Sequence, residues 1–507
     1  MKASVDCQAP WEWMGNLDRR LNDWSRPKRQ ERHRRLVVVS NRLPITMSED
    51  GTGSLQVRPS SGGLVTALSP VLRYNGGLWV GWSGATANVY LDGHLDEASI
   101  QLGCSLEAVT LSEKEVNDYY LGFANQVLWP LFHDFPECCK FDPGYWYTYV
   151  DVNRKFAQVA ARISTADDYI WVQDYHLLLL ARELRGIGVR RQTGFFLHTP
   201  FPPLEIFRRL PWGRQIIKAL LNYHLVGFQT HHDRDNFIGC VEKTIPGVHY
   251  ENTGRLIVVN DGNHRTAVGA FPISIDFSAF ETLAMSREVE ERANHLREAV
   301  SNCQIILGVD RLDYSKGIPL KLRAYRAFLE RFSHLRGRVT MVQIVVPSRD
   351  HIPQYRAVRA EVDDLVRQIN ESLGTPGWTP VHYMYGTLDR PELVALYRAA
   401  AVALVTPVKD GMNLVAKEYC AANVDNDGVL VLSEFAGAAS QMRGKALTVN
   451  PHDIDGVANA LYRAHGMPAS ERRLRMRGLR SLVRRRDIRW WSDLFLRSAE
   501  EALYMGT

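Results

Sequence analysis

A short charged turn in the second half of the sequence has the composition of an anion-binding site. Arg311 and Lys316 lie five residues apart in the stretch RLDYSKG, which follows an apolar run at 305–309 and closes with Gly317. A guanidinium group offers a fork of donors to phosphate oxygens, and an ammonium group adds a point charge. The spacing therefore predicts two cations on one anionic group, and Arg349 adds a third cation after the next apolar run. A solvated turn with surface cations is the plainer alternative.

A second stretch combines a strand end, a glycine and the start of a predicted helix. Backbone amides at a helix N-terminus attract anions, so we expect the amides of residues 411–415 to face a ligand. Asp410 could accept hydrogen bonds from ligand hydroxyls, and Glu418, two helical turns further on, could bind a ribose diol. A capped helix with a surface acid would explain the same residues without a ligand. The candidates in this stretch are Asp410, Gly411, Met412, Asn413, Leu414, Val415 and Glu418.

Polar side chains also end three other apolar runs. Arg42, Asp174 and His198 each follow such a run. Because ligands of open parallel sheets bind beyond the carboxyl ends of the strands, we expect these side chains to share one site. The paired glycines Gly62 and Gly63 open a further predicted helix, where the backbone could approach a ligand closely. A simple turn would explain the glycines equally well.

Several familiar catalytic patterns are absent from the sequence. There is no G-x-x-x-x-G-K-[ST] loop for ATP hydrolysis, no H-E-x-x-H zinc motif and no G-x-S-x-G nucleophile elbow. After Gly51 and Gly53, Gln56 occupies the third glycine position of the dinucleotide fingerprint, which disfavours a dehydrogenase. We therefore expect neither a metal site nor a bound cofactor.

The elements that must position these residues alternate between short apolar runs and helical stretches. This alternation predicts parallel sheets covered by helices on both faces, an α/β fold. We expect two doubly wound, Rossmann-like domains at 36–272 and 273–480, with the site in the cleft between them. Residues 1–35 form an N-terminal extension. Residues 481–507 form a C-terminal helical segment that is expected to pack on the first domain.

The composition excludes several classes of protein. The 507 residues are 45% hydrophobic and 23% charged, which is typical of a globular protein and excludes disorder or a disulfide scaffold. Seven cysteines without a C-x-x-C pair favour neither disulfides nor zinc. No apolar run approaches the ~20 residues of a membrane span, and no signal peptide is visible, so we expect a cytoplasmic location. Two basic stretches, at 26–35 and 472–489, do not interleave aromatic residues with their charges, so nucleic-acid binding is not expected.

Eight motifs, taken in order, identify a family. They are SNR at 40–42, SGGL at 61–64, DYY at 118–120, LWP at 128–130, DYH at 174–176, HTPFP at 198–202, RLDYSKG at 311–317 and DGMNLVAKE at 410–418. In this order and over about 36–491 the sequence resembles the trehalose-6-phosphate synthases. These are retaining glucosyltransferases of the GT-B fold. The resemblance implies transfer of glucose from a nucleoside-diphosphate glucose, expected to be UDP-glucose, to glucose 6-phosphate, which forms α,α-trehalose 6-phosphate.

The resemblance also implies roles for individual residues. The acceptor would be bound by Arg42, Tyr120, Trp129, Asp174 and Arg349. The donor would be bound by Gly62, Gly63, His198, Arg311, Lys316, Leu388, Asp410, Gly411, Met412, Asn413, Leu414, Val415 and Glu418, with the base held largely by backbone near 386–388. The residues implied in catalysis are Asp174, His198, Arg311, Lys316 and Asp410. Preformed cations and helix amides would stabilise the departing diphosphate without a metal.

Some points stay open at this stage. Retention without an obvious nucleophile favours a front-face route, in which the departing phosphate accepts the proton of the acceptor hydroxyl. A covalent glycosyl–carboxylate route is the rival. Lys409 stands where the family often has Arg, and Ser274 where the linker often has Gly. Another phosphorylated acceptor (glycerol 3-phosphate or an aminocyclitol phosphate), a non-catalytic sugar-phosphate sensor, and a dimer or tetramer are alternatives that the sequence leaves open.

Overall fold

The computed structural model describes residues 34–49, 55–59, 65, 68–69, 71–73, 77–85, 92–300, 303–349 and 352–504. The extension predicted at 1–35 therefore falls almost wholly outside the described residues. Gly62 and Gly63, which were predicted to bind the donor, also lie outside them.

The first sheet of the described chain has nine strands in the order β5-β4-β1-β6-β7-β8-β11-β10-β9. In this spatial order, the first seven strands, from β5 across to β11, run parallel to one another. The last two, β10 and β9, pair antiparallel at one edge of the sheet. A separate hairpin pairs β2 with β3. The bounds are β1 Leu36–Arg42, β2 Ile45–Glu49, β3 Leu55–Pro59, β4 Gly77–Trp82, β5 Ser105–Ala108, β6 Tyr169–Gln173, β7 Gln192–Phe196, β8 Leu225–Phe228, β9 His249–Asn252, β10 Leu256–Asn260 and β11 Arg265–Ala270.

The second sheet has six parallel strands in the order β14-β13-β12-β15-β16-β17. Counted within this sheet, the order is 3-2-1-4-5-6, that of a dinucleotide-binding sheet, and it reverses between β12 and β15. The first sheet reverses in the same way between β1 and β6. The bounds are β12 Gln304–Arg311, β13 Val339–Val346, β14 Val381–Tyr385, β15 Val402–Val405, β16 Val429–Ser433 and β17 Leu447–Val449.

Helices connect the strands and cover both faces of each sheet, so most strands are buried on both sides. The longer helices are Asp92–Leu102, Pro143–Ile163, Leu180–Gly186, Gly213–Leu220, His231–Thr244, Phe277–Ala284, Arg287–Ala299, Ile318–Arg331, Pro353–Leu373, Arg390–Ala399, Leu414–Ala422, Ile454–His465, Ala469–Arg485 and Ile488–Tyr504. Short turns of helix lie at Glu113–Glu115, Trp129–Phe132, Pro136–Cys138, Tyr175–Leu177, Leu204–Phe207, Tyr314–Lys316, Ser333–Leu335 and Ala439–Met442.

Residues Val116–Leu128 form a π-helix, in which each backbone hydrogen bond spans five residues instead of the four of an α-helix. Such wide turns are rare and are often found at functional sites. This one carries Tyr119, whose hydroxyl donates to Asn41 Oδ1 at 2.9 Å. The neighbouring Tyr120 is thereby placed beside the end of β1.

The C-terminal helix Ile488–Tyr504 packs against the first sheet. The Trp491 ring centre lies 5.0 Å from that of Trp171 and 5.1 Å from that of Phe196. Phe495 stacks on Trp171 at 4.5 Å. The chain thus returns to the first sheet after completing the second, and aromatic contacts hold it there.

Candidate active site

The carboxyl ends of the two sheets face one cavity of about 440 Å³. Its walls come from the ends of β1 and β6 in the first sheet, and from residues that follow β12, β13 and β15 in the second. In both sheets these ends include the switch point, where the strand order reverses and ligands of such sheets bind. Ten predicted site residues line this cavity: Arg42, Tyr120, Trp129, Asp174, His198, Arg311, Lys316, Arg349, Asp410 and Gly411.

Arg42 lies on the first-sheet side of the cavity and rests on an aromatic face. Its guanidinium carbon is 4.6 Å from the centre of the Trp82 ring. Tyr120 meets Trp82 edge-on at 5.8 Å and stacks with His176 at 6.0 Å. Burial lowers the pKa of Arg42 somewhat, and Tyr120 partly offsets this, but a guanidinium group stays charged at neutral pH. Among the described residues, no side chain or carbonyl oxygen accepts a hydrogen bond from the Arg42 guanidinium.

Arg349 is a buried cation that spans the two sheets. Its guanidinium carbon lies 4.1 Å from the centre of the Trp129 ring. Its terminal nitrogens donate to the hydroxyl oxygens of Tyr355 at 2.6 Å and Tyr175 at 3.2 Å. Burial alone would lower the pKa of Arg349, but the two tyrosines and Asp313 outweigh it and raise the pKa. Its backbone φ of 53° is unusual for arginine, so the fold holds this side chain in a specific direction.

Asp174 follows β6 in a strained backbone conformation. Its φ of 71° and ψ of 169° belong to a region that is almost confined to glycine and costs about 1–3 kcal/mol. The carboxylate Oδ1 accepts a hydrogen bond from the backbone N–H of His198 at 3.1 Å. Burial raises the pKa of Asp174 to about 6, although backbone donors and Arg349 act in the opposite direction. Strain of this kind persists where the surrounding structure requires it, and active sites are common examples.

His198 is an uncharged group on the same wall. Its Nε2 lies 2.9 Å from the Gln173 amide oxygen, and its ring meets Phe196 edge-on at 4.7 Å. Trp491 of the C-terminal helix lies 6.3 Å away, measured between ring centres. Burial lowers the pKa of His198 to about 3. The imidazole is therefore neutral at pH 7 and can orient a hydroxyl, but it does not supply a positive charge.

Lys316 and Asp410 form an ion pair on the second-sheet side. Lys316 Nζ lies 2.6 Å from Asp410 Oδ2, which also accepts from Asn413 Nδ2 at 3.0 Å. Burial would raise the pKa of Asp410, but Lys316 outweighs this and keeps the pKa low. Arg311 lies nearby, with its guanidinium carbon 5.5 Å from the centre of the Trp129 ring. In this conformation, the expectation of two cations on one anion is met only in part, because Asp410 already neutralises Lys316.

Gly411 brings the two sheets into close approach. A Cβ atom built at this position would lie 2.1 Å from the carbonyl oxygen of His198, far inside van der Waals contact. Two residues later, Asn413 has a φ of 72° and accepts from the Ala416 N–H at 3.2 Å, which caps the helix Leu414–Ala422. The loop after β15 is thus fitted against the strand end at His198, and only glycine allows this fit.

Comparisons with known proteins agree with this geometry. The sequence profile of glycosyltransferase family 20 matches residues 34–501. The trehalose-6-phosphate synthase of Mycobacterium sp. strain JLS is 42% identical over 469 residues, which cover 91% of this chain and 95% of that protein. The enzyme of the same name from Mycobacterium leprae is 42% identical over 476 residues, or 92% of this chain and 94% of that protein. This chain belongs to glycosyltransferase family 20.

Solved structures support the family 20 assignment and the fold. A UDP-forming α,α-trehalose-phosphate synthase from Burkholderia xenovorans, in complex with glucose-6-phosphate, matches with a TM-score of 0.83 and 34% identity over 92% of this chain and all of that chain. An E. coli structure bound with UDP-2-fluoro glucose matches with a TM-score of 0.82 and 37% identity over 92% of this chain and 98% of that chain. The predicted α/β fold with two Rossmann-like sheets, the GT-B fold, is confirmed.

No helix among the described residues has the length and apolarity to cross a bilayer. Within the same residues, no group of three or more His, Cys, Asp or Glu side chains is arranged to hold a metal ion.

Several residues that the family resemblance assigned to the donor do not line the cavity between the two sheets. They are Leu388, Met412, Asn413, Leu414, Val415 and Glu418. Leu388 lines a separate groove of about 590 Å³ between β13, β14 and the helices Arg287–Ala299 and Arg390–Ala399. Glu418 Oε2 accepts from the Tyr397 hydroxyl at 2.9 Å, and burial raises its pKa. The roles of these residues stay predictions.

The two departures from the family 20 pattern have defined surroundings. Lys409 Nζ forms an ion pair with Asp134 Oδ2 at 2.7 Å, which links the loop after β15 to the first half of the chain. Ser274 is fully buried in the segment between β11 and the helix Phe277–Ala284. Its hydroxyl has no partner among the described residues.

Several other residues line the cavity without a predicted site role. Four of them belong to motifs that carry the family resemblance, namely Ser40, Asn41, Tyr175 and Thr199, whereas Trp79, His133 and Gln173 belong to none of those motifs. Most of them flank a predicted site residue, and that proximity was the available signal. His133 had no such signal. Its Nδ1 lies 2.8 Å from the Trp129 carbonyl oxygen and its ring lies 4.1 Å from the Trp129 ring.

Proposed function

We propose that this chain transfers glucose from UDP-glucose to glucose 6-phosphate with retention, and so forms α,α-trehalose 6-phosphate. One observation carries the proposal: a single cavity joins two groups of cations at the switch points of two Rossmann-like sheets. One group includes Arg42 on the first sheet, and the other includes Arg311 and Lys316 on the second. Two anionic substrates can therefore meet between them. Residues 36–272 would hold the acceptor and residues 273–480 the nucleotide sugar.

The acceptor phosphate would be held by Arg42 and Arg349. Both guanidinium groups rest on aromatic rings, Trp82 and Trp129 respectively, which orients their donors without neutralising their charge. Tyr120 lies against Trp82 and would complete the phosphate pocket. Bidentate donation by arginine suits a phosphate dianion better than an uncharged sugar.

The donor diphosphate would lie against Arg311, Lys316 and the N-terminus of the helix Leu414–Ala422. The amides in the first turn of a helix have no acceptor within the helix, so they are available to phosphate oxygens. Breaking the glycosyl bond adds negative charge to the leaving oxygen, and these preformed donors stabilise it as it develops. Asp410 is held by Lys316 and Asn413, and its other oxygen would accept from hydroxyls of the glucose ring.

Retention would proceed at the front face. A covalent route would use a carboxylate as nucleophile, and both candidate aspartates have other partners: Asp410 Oδ2 pairs with Lys316, and Asp174 Oδ1 accepts from the His198 amide. In the front-face route the C1–O bond to the phosphate breaks, the acceptor oxygen bonds to C1 on the same side, and the departing phosphate takes the hydroxyl proton. Mass spectrometry of the protein quenched during turnover tests this, because a glucosyl adduct on either aspartate would contradict it.

The specificity of the reaction is tested by a panel of substrates. UDP-, GDP- and ADP-glucose would each be offered with glucose 6-phosphate, glucose and glycerol 3-phosphate, and the products identified by mass. We expect efficient turnover only with glucose 6-phosphate, and the fastest turnover with UDP-glucose. Turnover with unphosphorylated glucose at a comparable rate would contradict the assignment of the phosphate pocket. Preference for glycerol 3-phosphate would indicate a glycosyltransferase of the same fold that uses a different phosphorylated acceptor.

A further inference from the structure

A second cavity, of about 530 Å³, lies at the opposite edge of the first sheet, where the parallel strands begin. It is formed by the loop after the helix Leu180–Gly186, the starts of β7, β8 and β11, the turn between β10 and β11, and the end of the C-terminal helix. No residue of the catalytic cavity lines it. The charged or titratable residues that line it are Arg185, Arg190, Arg191, His224, His264 and Arg265.

Of the four arginines of this cavity, Arg265 is paired with an acid, since its terminal nitrogen lies 2.9 Å from Glu251 Oε2. Among the described residues, none of Arg185, Arg190 and Arg191 forms an ion pair with a carboxylate. Asp261, in the turn between β10 and β11, accepts from the backbone N–H groups of Asn263 at 2.9 Å and His264 at 2.8 Å, and its charge acts to raise the pKa of Arg185. The cavity therefore holds more arginines than ion pairs with described acids.

Several donors in the cavity also lack acceptors. The Nε atoms of Arg191 and Arg265 are buried and have no hydrogen-bond partner in the described part of the chain. Arg185 places a terminal nitrogen 3.2 Å from His264 Nδ1, which can accept from it, because His264 Nε2 lies 3.2 Å from the Tyr223 carbonyl oxygen and carries the proton. Leaving a buried charged donor unpaired is unfavourable, and a bound anion would supply the missing acceptor.

Apolar side chains also line part of this cavity. Ala181, Leu184 and Val189 form one side, and Ala502 and Leu503 of the C-terminal helix another. The volume falls within the range of about 300–1,000 Å³ that is usual for small-molecule sites. We propose that this cavity binds a small phosphorylated metabolite, with its phosphate on the arginines and its organic part against the apolar side. Because the arginines line one cavity of limited volume, the site fits a compact dianion rather than an extended polyanion.

The test is calorimetric titration of the full-length protein with inorganic phosphate and with ribose 5-phosphate. An Arg349→Ala background weakens phosphate binding in the catalytic cavity. In that background, Arg191→Ala should reduce the affinity for phosphate by about 10- to 100-fold, as expected for the loss of a charge-assisted hydrogen bond. Arg214→Ala removes the same charge from an exposed position outside the cavity and should change the affinity less than about twofold. Arg191→Lys should fall between them, and unchanged melting temperatures would show that each variant is folded.

The outcomes separate clearly. Saturable binding that depends on Arg191 but not on Arg214, with the sugar phosphate at least as tight as inorganic phosphate, supports the proposal. Equal binding by the Arg191→Ala and Arg214→Ala variants, or no saturable binding in the Arg349→Ala background, overturns it. Binding of a single-stranded oligonucleotide through the same arginines, much tighter than the sugar phosphate and steeply salt-dependent, would also overturn it in favour of a polyanion surface. Crystals soaked in tungstate should show anomalous density in this cavity, and density only in the catalytic cavity would contradict the site.

Discussion

Arg42 and Arg349 both rest on tryptophan rings, but their surroundings differ. Arg349 is fixed by two tyrosine hydroxyls and is almost fully buried, whereas Arg42 donates to no described residue. Removing Arg349 would disturb a network, while removing Arg42 should remove mainly a contact to the ligand. The sequence could identify both residues through their motifs. It could not show the tyrosines around Arg349, because Tyr175 lies 174 positions away in the chain.

We predict that Arg42→Ala raises the KM for glucose 6-phosphate by about 10- to 100-fold, the value of one charge-assisted hydrogen bond. The KM for UDP-glucose should change little, because Arg42 lies on the first-sheet side. Steady-state kinetics with each substrate varied in turn measures this. Arg208→Ala, which removes an exposed arginine outside the cavity, serves as the control. A larger effect on the donor than on the acceptor would show that the two sides are assigned wrongly.

A second prediction at this scale concerns the pH dependence of stability. Burial raises the folded pKa of Asp174 to about 6, above its ordinary value near 3.8. Between these values the folded state binds more protons, so Asp174 contributes stability at low pH that is lost as the pH rises through 6. From pH 5 to pH 7, the wild type should lose about 1 kcal/mol of unfolding free energy relative to Asp174→Asn. Denaturant unfolding at both pH values measures the difference, and parallel pH profiles would contradict it.

At the scale of elements, the loop after β15 decides how closely the two sheets approach. The Cβ of Gly411→Ala would meet the His198 carbonyl oxygen, which is a backbone atom and cannot rotate away as the end of a side chain could. We expect the loop to shift and kcat/KM to fall by about 10²-fold, because small misplacements of reacting groups cost about this much. Gly239→Ala, in an open position of the helix His231–Thr244, is the matched control and should retain full activity. Full activity of the Gly411 variant would show that the sheets do not need this contact.

Prediction from sequence succeeded best where strands are apolar on both faces. The apolar runs LVGF at 225–228 and VALV at 402–405 predict buried strands, and the structure forms strands with the same bounds because helices cover both sides of each sheet. β9 and β14 escaped prediction because β9 is wholly exposed and β14 is exposed at alternate positions. The π-helix at 116–128 was also not predicted, since no local residue pattern specifies its longer-range backbone hydrogen bonds. Its fit against β1, through Tyr119 and Asn41, depends on residues 78 positions apart.

At the scale of the whole molecule, the cavity exists only because the carboxyl ends of the two sheets are held toward one another. The contacts that bridge them include Arg349 to Tyr175, Gly411 to His198, and the ion pair between Lys409 and Asp134. The ends of the strands could be predicted from sequence, but their mutual position could not, because it depends on side chains far apart in the chain. Closure of such a cleft excludes water, which would otherwise compete with the acceptor for the glucosyl group.

The Lys409–Asp134 pair gives a prediction at this scale. Lys409→Asp should raise the KM for UDP-glucose by up to about fivefold, because it removes a partly exposed ion pair and introduces repulsion between the halves. Asp134→Lys should act similarly, and the exchanged pair Lys409→Asp with Asp134→Lys should restore the KM. Kinetics of the three variants checks this. If the exchanged pair is no better than the single variants, the ion pair does not hold the halves together.

The central claim is that cations on the second sheet stabilise the departing diphosphate, and the kcat/KM of Arg311→Ala for UDP-glucose measures it most directly. We predict a fall of about 10²–10³-fold, as for removal of one preformed donor to a developing charge, with a partial return of activity in Arg311→Lys. A kcat/KM equal to that of the wild type, in a folded Arg311→Ala variant, would contradict the account.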